Sequence, residues 1–331
     1  MRRRRAMDVE RRFDLLVAGE LNPDVVVVAP SGDLKFGQVE TLVQAIRLGI
    51  GGSSAIVACG AAKLGLRTAF VGVVGDDSFG RFMLDALDER GIDVSACRVD
   101  PTVPTGASVI LCRGADRTIL TASGAIDQLR AADIPPEVIA SSSHLHVGSI
   151  YLQRALLPDL ANVFSTAQAA GLTTSFDCNW DPTESWDGGI DAILRSTDLF
   201  LPNLEEARRI TGQDGHRAAA AELTRRAGEG RQIGRPFTVA VKLGAAGGVA
   251  VREMPREIVR APILPVEVAD TTGAGDSFDA GFLYGFIAGW GLRDTLDLAV
   301  ACGSLSVSGI GGTASQPTLQ AAQAALSAAG R

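Results

Sequence analysis

The sequence is short of several features that mark common functional classes. Lys and Arg together number 31 against 38 Asp and Glu, which gives a net charge of -7. A chain with that balance lacks the concentrated positive surface that nucleic-acid binding requires. No apolar run approaches the roughly 20 residues that are needed to span a bilayer. We therefore expect no nucleic-acid partner, no membrane association and a cytoplasmic protein.

Cysteine and lysine are scarce as well. The five cysteines contain no CxxC pair, so their spacing suggests neither a zinc site nor a disulfide framework, and we expect buried small apolar residues. Lysine occurs only at Lys35, Lys63 and Lys242, and no GxxxxGK[ST] sequence is present. That absence excludes a P-loop, in which a lysine contacts the phosphates. Any phosphate site in this chain must be built differently.

The length and composition fit a globular protein. With 331 residues and 46% hydrophobic content, the chain can form a substantial core in one large domain with an accessory part, or in two domains. The basic run Arg2 to Arg5 is typical of a charged tail, and no apolar signal-peptide core follows it. We expect residues 1–11 to be a disordered N-terminal extension, with Met7 as an alternative start.

Short strand patterns alternate with helical patterns along much of the chain. This alternation predicts parallel strands joined by helical crossovers, and therefore an α/β fold. The predicted strands are Phe13 to Ala18, His144 to Val147, Thr173 to Phe176, Leu199 to Leu201 and Thr238 to Val241. The runs Thr105 to Leu111 and Arg117 to Thr121 instead predict a hairpin in a separate sheet.

The most informative segment is Asp270 to Phe278, which reads DTTGAGDSF. After the alternating run Val266 to Ala269, its glycines permit a turn that leads directly into a helix N-terminus. Unpaired N–H groups and the helix dipole make such a turn a site for an anion such as phosphate. Asp276, in the first turn, either caps the helix or takes the proton of a hydroxyl that attacks a bound phosphoryl group. The residues alone leave both interpretations open.

Two other stretches place small and polar residues where a ligand could bind. Asn22 and Asp24 follow the first predicted strand, where they either hold ligand hydroxyls or form a turn. Gly51, Gly52 and Ser53 open a helix of small residues. A dinucleotide-binding GxGxxG sequence is not formed by Gly273 to Phe278, because phenylalanine occupies the place of the third glycine.

The segment Asp270 to Asp276 resembles the D-T-x-G-A-G-D signature of the PfkB/ribokinase family of small-molecule kinases. The resemblance implies that Gly273, Ala274 and Gly275 form an anion hole for the transferred phosphoryl group and that Asp276 is the general base. It also implies ATP and Mg²⁺ as cofactors. The implied fold is a ribokinase-like three-layer α/β/α sandwich over residues 12–331, with a mostly parallel central sheet. A small β-sheet lid is implied for about residues 25–49 and 101–124, and a homodimer through that lid.

The N-terminal half carries the residues that the resemblance assigns to the acceptor. The family pattern G-x-x-N-x-D matches Gly19, Asn22 and Asp24, and its GG-x-x-x-N-x-A pattern matches the glycines at 51 and 52. Ile56 replaces the usual Asn of the second pattern, so the substrate of ribokinase itself is not implied. Ser149 follows a strand end and is also expected to face a ligand. The candidate substrate-binding residues are Asn22, Asp24, Gly51, Gly52, Ser53 and Ser149.

The C-terminal half carries the expected nucleotide site. Asn203 and Glu206 form a capping-box pattern and also match the family's N-x-x-E motif, which organises hydrated magnesium and phosphate; we expect both roles. By resemblance Lys242 binds a phosphate, and Gly244 and Gly247 let the backbone approach the nucleotide. Ala301 and Cys302 are expected to line the base pocket, and Asp270 and Thr272 to hold a monovalent cation such as K⁺.

We therefore expect an ATP-dependent phosphotransferase that moves the γ-phosphate of ATP to a hydroxyl of a small sugar or sugar-like molecule. Two alternatives are a nucleoside kinase of the same fold and a non-catalytic sugar or nucleotide sensor. Relatives that act on sugar acids or phosphates supply an arginine after a D-x-N strand end, whereas Asp177-Cys178-Asn179 here continues with Trp180-Asp181. This difference favours a neutral acceptor.

Overall fold

The computed structural model of the protein describes residues 11–28, 37–113, 116–231 and 234–331. Apart from Arg11, the predicted disordered extension lies outside the described residues. Fourteen strands and ten α-helices are found within these ranges, numbered in chain order. The strands are β1 Phe13–Ala18, β2 Asn22–Val28, β3 Ala45–Gly51, β4 Thr68–Val71, β5 Val73–Gly75, β6 Arg98–Asp100, β7 Ala107–Arg113, β8 Asp116–Ala122, β9 Ser142–Val147, β10 Thr173–Phe176, β11 Leu199–Phe200, β12 Thr238–Lys242, β13 Gly248–Arg252 and β14 Glu257–Ala261. The helices are α1 Ser53–Leu64, α2 Ser78–Asp88, α3 Pro136–Ala140, α4 Leu160–Ala169, α5 Ile190–Arg195, α6 Leu204–Thr211, α7 His216–Gly228, α8 Ala274–Ile287, α9 Leu292–Ser306 and α10 Leu319–Ala328.

Eight strands form the central sheet, in the order β14-β13-β12-β11-β10-β9-β1-β4. The six strands from β4 to β12 pair in parallel, whereas β13 and β14 are antiparallel. The chain goes from β1 to β4 on one side and later returns to β9 on the other side of β1. In open α/β sheets ligands bind beside the carboxyl ends of the strands at such a switch point.

Two hydrophobic cores cover the two faces of this sheet. Side chains of a strand point alternately to opposite faces, so Leu15 and Val17 of β1 pack with α1, α8 and α9, while Leu16 and Ala18 pack with α4 and α7. Parallel strands buried on both faces have nearly continuous apolar sequences, as in FDLLVA of β1. This arrangement confirms the expected three-layer sandwich with a mostly parallel central sheet.

A second sheet, which we call the lid, has the order β3-β2-β7-β8. The predicted hairpin is present, because β7 and β8 pair antiparallel. The strands fall largely within the two segments expected for a lid, although β2 begins earlier, at Asn22, and β3 ends later, at Gly51. Residues 29–36 of the first segment lie outside the described residues. The proposed domain limits themselves stay a prediction.

The alternating run that precedes the DTTGAGDSF segment does not form a strand. Val266 to Ala269 pair with no strand in the part of the chain that the structure describes, and the segment 262–268 runs extended without a ladder. It is held to α9 by hydrogen bonds from Leu264 N to Ser304 Oγ at 3.1 Å and from Ala269 N to Val307 O at 2.8 Å. Its apolar side chains line a cavity, which explains an apolar pattern without a sheet neighbour. None of the described helices has the length and apolar character that a bilayer crossing demands.

Candidate active site

A cavity of about 1090 Å³ lies along the carboxyl ends of the parallel strands. It is as large as the upper range of small-molecule sites, about 300 to 1,000 Å³. One end lies beneath the lid, next to β1, and the other lies beside β12 and α9. The turn before α8 contributes to the same cavity. Its volume is sufficient for two small ligands.

The lid end of the cavity is lined by a polar row. Residues paired across strands share one face of a sheet, and Asp24 of β2 pairs with Ser108 of β7, which pairs with Thr121 of β8. All three line the cavity, together with Asn22. Asn22 and Asp24 are buried on the first lid strand, rather than in a free loop after β1. Hydroxyl groups of a ligand can therefore be bound between the lid and the sheet.

Gly51 leaves the space that Asp24 occupies. A Cβ atom built at position 51 would lie 2.0 Å from Asp24 Oδ1, far closer than real Cβ contacts. Gly51 itself does not line the cavity, whereas Gly52 and Ser53 do. The predicted role of Gly51 in binding is therefore indirect, because its missing side chain permits the Asp24 carboxylate to reach its position.

The turn before α8 has the geometry of an anion site. Gly273 has a φ of 73°, and a Cβ there would lie 2.6 Å from the backbone of Gly312, so glycine is required for two reasons. No side chain caps α8 within the described residues. The N–H groups of Gly275 and Asp276 likewise find no hydrogen-bond acceptor in that part of the chain. These N–H groups are available to an anion at the positive end of the helix dipole.

Asp276 has a carboxylate suited to proton transfer. Burial raises its pKa from 3.8 to about 6. Lys242 lowers this pKa, Asp177 and Glu20 raise it, and a hydrogen bond from Ser53 lowers it. The carboxylate lines the cavity and is not engaged in capping the helix. Of the two interpretations left open by the residues, the geometry favours an acid–base role.

Lys242 forms the centre of a buried ion cluster. Its Nζ donates to Asp177 Oδ2 at 2.8 Å and to Asp279 Oδ2 at 2.9 Å. Burial lowers the pKa of Lys242, but the two carboxylates outweigh it and raise the pKa well above its ordinary value. The ammonium lies beside the α8 turn, since a Cβ built on Gly275 would be 3.7 Å from it. Its hydrogen bonds are directed to carboxylates, and a phosphate would have to share them.

Asn203 and Glu206 form the capping box that the sequence predicted. Asn203 Oδ1 accepts from Glu206 N at 2.9 Å, and Glu206 Oε2 accepts from Asn203 N at 2.8 Å. Both residues also line the cavity. Burial and the nearby Asp177 together raise the pKa of Glu206 to about 7. The structural role is confirmed, and the site role stays a prediction.

The family model described as pfkB family carbohydrate kinase matches residues 12–319. The chain belongs to this family of carbohydrate kinases. It is 34% identical over 285 residues to a fructokinase of Klebsiella pneumoniae, covering 81% of this chain and 88% of the relative. It is 29% identical over 313 residues to a ribokinase of Haemophilus influenzae, covering 93% of this chain and 97% of the relative. An Escherichia coli structure described as a ribokinase II with ATP and Mg²⁺ superposes with a TM-score of 0.81 at 21% identity, covering 96% and 99%.

The alignment with the Haemophilus ribokinase spans 313 residues. The matched residues make up 88% of the fructokinase and 97% of the ribokinase, so the similarity extends over nearly the whole of both relatives. The structural likeness confirms the ribokinase-like fold of this kinase, with its lid as the smaller sheet.

The end of the cavity that the sequence was expected to offer to a nucleotide requires one correction. Ala301 and Cys302 were expected to line a base pocket, but both are buried in the core between α8 and α9 and do not line the cavity. The residues that do so are Val300, Gly303 and Ser304 of α9 and Val307, which directly follows the helix. They are spaced three or four apart and share one helix face, whereas Ala301 and Cys302 are rotated away from it.

An apolar slot lies between this face of α9 and the extended segment 262–268. The cavity here also includes Gly244 and Gly247 of the turn after β12, as predicted from the sequence. The segment contributes apolar side chains that the sequence interpretation did not assign to the site. These are Ile263, Leu264, Pro265, Val266 and Val268.

Asp270 and Thr272 lie at the start of the α8 turn of the kinase. Asp270 Oδ1 accepts from Thr272 N at 2.9 Å and from Thr272 Oγ1 at 2.8 Å, and its Oδ2 accepts from Gly311 N at 2.8 Å. Asp270 therefore joins the turn to the loop 308–317. A monovalent cation at this position stays a prediction.

Ser149 does not line the cavity, although it was expected to face the substrate. It is buried, and its Oγ donates to Glu20 Oε1 at 2.6 Å. Glu20 does line the cavity, as do Asp177 and Asn179. None of these three was assigned to the site from the sequence, although each follows a predicted strand end, where ligands bind in this class of fold.

Proposed function

We propose that this kinase transfers the γ-phosphate of ATP to a hydroxyl of a small neutral sugar, with Asp276 as general base. The proposal depends above all on the position of Asp276 at the α8 turn, between the polar lid end of the cavity and its apolar slot. The backbone of Gly273, Ala274 and Gly275 would stabilise the negative charge of the transferring phosphoryl group.

The acceptor would be bound at the lid end. Asn22 and Asp24 offer an amide and a carboxylate to sugar hydroxyls, and the turn of Gly52 and Ser53 closes the site from the α1 side. With a pKa of about 6, Asp276 is mostly deprotonated at neutral pH and can still accept the hydroxyl proton. The lid above the acceptor would exclude water, which otherwise competes for the phosphoryl group.

ATP would be bound at the other end. The slot between α9 and the segment 262–268 is apolar, as a planar base requires, and the turn of Gly244 and Gly247 lies beside it. From there the phosphates would extend toward the N-terminus of α8. The E. coli relative was solved with ATP and Mg²⁺, which supports the same pair of cofactors here.

The described residues fit a hydrated magnesium ion near Asn203 and Glu206. These side chains offer amide and carboxylate oxygens to the cavity, and such hard oxygen donors are the ones Mg²⁺ prefers. Burial and, after it, the nearby Asp177 raise the pKa of Glu206, and a cation would offset the repulsion between these two carboxylates. A bound Mg²⁺ would neutralise charge on the ATP phosphates. Asn203 and Glu206 would hold it through water.

The charge of the cavity favours a neutral acceptor. Among the described residues that line it, the acidic side chains are Glu20, Asp24, Asp177, Glu206 and Asp276, and the basic one is Lys242. Since Lys242 is paired with two carboxylates, a sugar acid or sugar phosphate would meet repulsion at the lid end. The fructokinase and ribokinase relatives are named for neutral sugars.

A screen of acceptors tests this proposal. ADP release would be measured with ATP, Mg²⁺ and a panel of pentoses, hexoses, sugar acids, sugar phosphates and nucleosides, with ATP alone as the background. We expect the highest kcat/KM for a neutral sugar, at least about 100-fold above its acid or phosphate. A sugar phosphate or sugar acid as the best acceptor would contradict the proposed specificity, and a nucleoside would establish the alternative kinase.

We also propose a homodimer through the lid. The face of the lid turned away from the cavity carries an apolar row across all four strands, because Leu48 pairs with Val25, Val25 with Val109, and Val109 with Leu120. Leu48 and Leu120 are 47% and 57% exposed. Contiguous exposed apolar surface of this kind favours association with another protein surface. Isologous pairing of two lids would bury this row.

A further inference from the structure

Glu20 is a carboxylate between β1 and β2 that is only 2% exposed, although it lines the cavity. Groups from two other parts of the fold bind its two oxygens. Ser54 Oγ of α1 donates to Oε2 at 2.5 Å, and Ser149 Oγ, after β9, donates to Oε1 at 2.6 Å. Distances this short are typical of hydroxyl donors to a carboxylate. Glu20 therefore joins the ends of β1 and β9 to the start of α1.

Glu20 also supplies the cap that α1 lacks. Gly52 occupies the N-cap position and has no side chain to accept from the first turn, and that turn contains no acidic residue. Glu20 Oε1 accepts from Ser54 N at 3.3 Å and brings a carboxylate to the positive end of the helix dipole. The start of α1 is thus held by a residue 34 positions earlier in the sequence.

The turn before α1 packs closely on two side chains of the segment after β1. Gly52 has a φ of 77°, and a Cβ atom there would lie 2.9 Å from Glu20 Cγ and 2.9 Å from Asn22 Oδ1. Glycine therefore permits both its conformation and this close approach. Gly52 and the following Ser53 line the cavity. A displacement of Glu20 would reach the cavity through this turn.

Asn179, after β10, closes a ring of hydrogen bonds around the same turn. Its Nδ2 donates to Ser149 Oγ and to Ser53 Oγ, both at 3.1 Å. Its Oδ1 accepts from Trp180 N at 2.9 Å, which fixes the orientation of the amide. Ser149 accepts from Asn179 and therefore directs its own proton to Glu20. The ends of β1, β9 and β10 all hold the start of α1.

We propose that Glu20 is a positioning residue for the acceptor site. It holds the start of α1 so that Gly52 and Ser53 are placed against the acceptor. The inference rests on the proposed function, in which this turn closes the acceptor site. A carboxylate accepts about four hydrogen bonds, and Ser54 and Ser149 already supply three of them. The role also accounts for the burial of Ser149, which was expected to face the substrate.

Steady-state kinetics of two serine variants test the inference, with the best acceptor from the screen. Ser54→Ala and Ser149→Ala each remove a donor to Glu20, and neither serine lines the cavity. We expect each variant to raise the acceptor KM by about 5-fold or more, with kcat and the ATP KM within about 3-fold of the wild type. A substitution that only destabilised the fold would lower the active fraction, and so kcat, and leave both KM values unchanged.

Variants of Glu20 itself complete the series. Glu20→Ala should raise the acceptor KM more than either serine variant does, and Glu20→Gln, which retains one acceptor oxygen, should lie between Glu20→Ala and the wild type. Ser142→Ala is the matched control. Ser142 is a buried serine at the start of β9, its Oγ donates to Val138 O at 2.7 Å, and it does not line the cavity. This control should keep wild-type KM values.

Hydrogen–deuterium exchange provides a readout that does not require activity. Peptides that cover residues 51–58 should exchange faster in Ser149→Ala than in the wild type, because the first turn of α1 loses part of its attachment. The same peptides should be unchanged in Ser142→Ala. If Glu20→Ala does not fold, the serine variants carry the test in both measurements.

Either of two results would overturn the inference. One is a raised acceptor KM in Glu20→Ala with wild-type values in both serine variants, since Glu20 would then bind the acceptor itself. The other is unchanged exchange and unchanged acceptor KM in Ser54→Ala and Ser149→Ala. A wild-type enzyme that phosphorylates no neutral sugar would instead reject the proposed function, and the exchange result would still decide whether Glu20 holds the turn.

Discussion

At the scale of single residues, the space left by a glycine determines where a functional carboxylate lies. Gly51 ends β3, and a Cβ atom there would be 2.0 Å from Asp24 Oδ1. Gly49, two residues earlier in the same strand, has no heavy atom within 4 Å of a built Cβ atom. An added methyl group would therefore displace Asp24 at position 51 and contact nothing at position 49, so alanine variants at the two positions isolate the effect of displacing Asp24.

We expect Gly51→Ala to displace Asp24 and to raise the acceptor KM by about 10-fold or more, the cost of one lost or misplaced hydrogen bond to a charged group. The ATP KM should stay close to the wild-type value. Gly49→Ala is the control and should leave both KM values unchanged. Equal acceptor KM values for the two variants, measured by ADP release, would show that Asp24 does not bind the acceptor.

The raised pKa of Asp276 predicts that the stability of the folded protein depends on pH. Its pKa in the folded protein is about 6 against an ordinary 3.8, so the folded state binds the proton more tightly than the unfolded state. Ionisation of this buried carboxylate therefore lowers the free energy of unfolding as the pH rises from about 4 to 6 and above. Asp276→Asn should be more stable than the wild type by about 1 to 3 kcal/mol at pH 8 and nearly equal to it at pH 4. Urea unfolding at both pH values checks this, and a difference independent of pH would be evidence against it.

Sequence patterns identified some site residues and missed others for physical reasons. Asp276 and Asn203 lie within continuous motifs whose local geometry is encoded by their neighbours. Glu20, Asn179 and Asp279 act through partners distant in the chain, such as Ser149 for Glu20 and Lys242 for Asp279. No periodicity or spacing reports such contacts, and they become visible only when the strand ends are brought together.

At the scale of elements, the extended segment 262–268 and α9 together form the apolar slot. Sequence periodicity predicted the helix but not which face lines the cavity, because α9 is buried on nearly all sides. The same limitation applies to the alternating run Val266 to Ala269, which forms no strand. An apolar pattern indicates burial or ligand contact, and it does not identify the neighbour that provides it.

Val268 offers a test of the slot. It is 61% exposed and lines the cavity, so a charged side chain there should fold but impair binding of an apolar base. Val268→Glu should raise the ATP KM by about 5-fold or more, the equivalent of about 1 kcal/mol, and leave the acceptor KM unchanged. Ile258→Glu on β14 is the control, with 57% exposure and no part in the cavity. A raised acceptor KM in place of a raised ATP KM would place the nucleotide elsewhere.

At the scale of the whole molecule, the lid has two different faces. One carries the polar row of Asp24, Ser108 and Thr121 over the cavity, and the other carries the apolar row that begins at Leu48 and ends at Leu120. The alternation of a strand separates these two functions on the same four strands. The α/β rhythm predicted the central sheet, but the pairing of β2 with the distant β7 could not be obtained from local pattern.

The proposed dimer can be tested on the apolar row. The double variant Leu48→Glu and Leu120→Glu should be monomeric by light scattering coupled to size-exclusion chromatography, because four like charges would face one another across the two-fold axis. Leu42→Glu is the control, since Leu42 is 84% exposed and lies outside the lid strands. A wild-type protein that is monomeric at every concentration would contradict the dimer.

The central claim is that Asp276 takes the proton of the acceptor hydroxyl. The most direct measurement is the single-turnover rate of phosphoryl transfer by Asp276→Asn, with the best neutral sugar and saturating ATP and Mg²⁺. Loss of a general base typically costs about 10² to 10⁴ in rate, so we predict a fall within or beyond that range, with binding of ATP and sugar retained. A rate within a few-fold of the wild type would contradict the account.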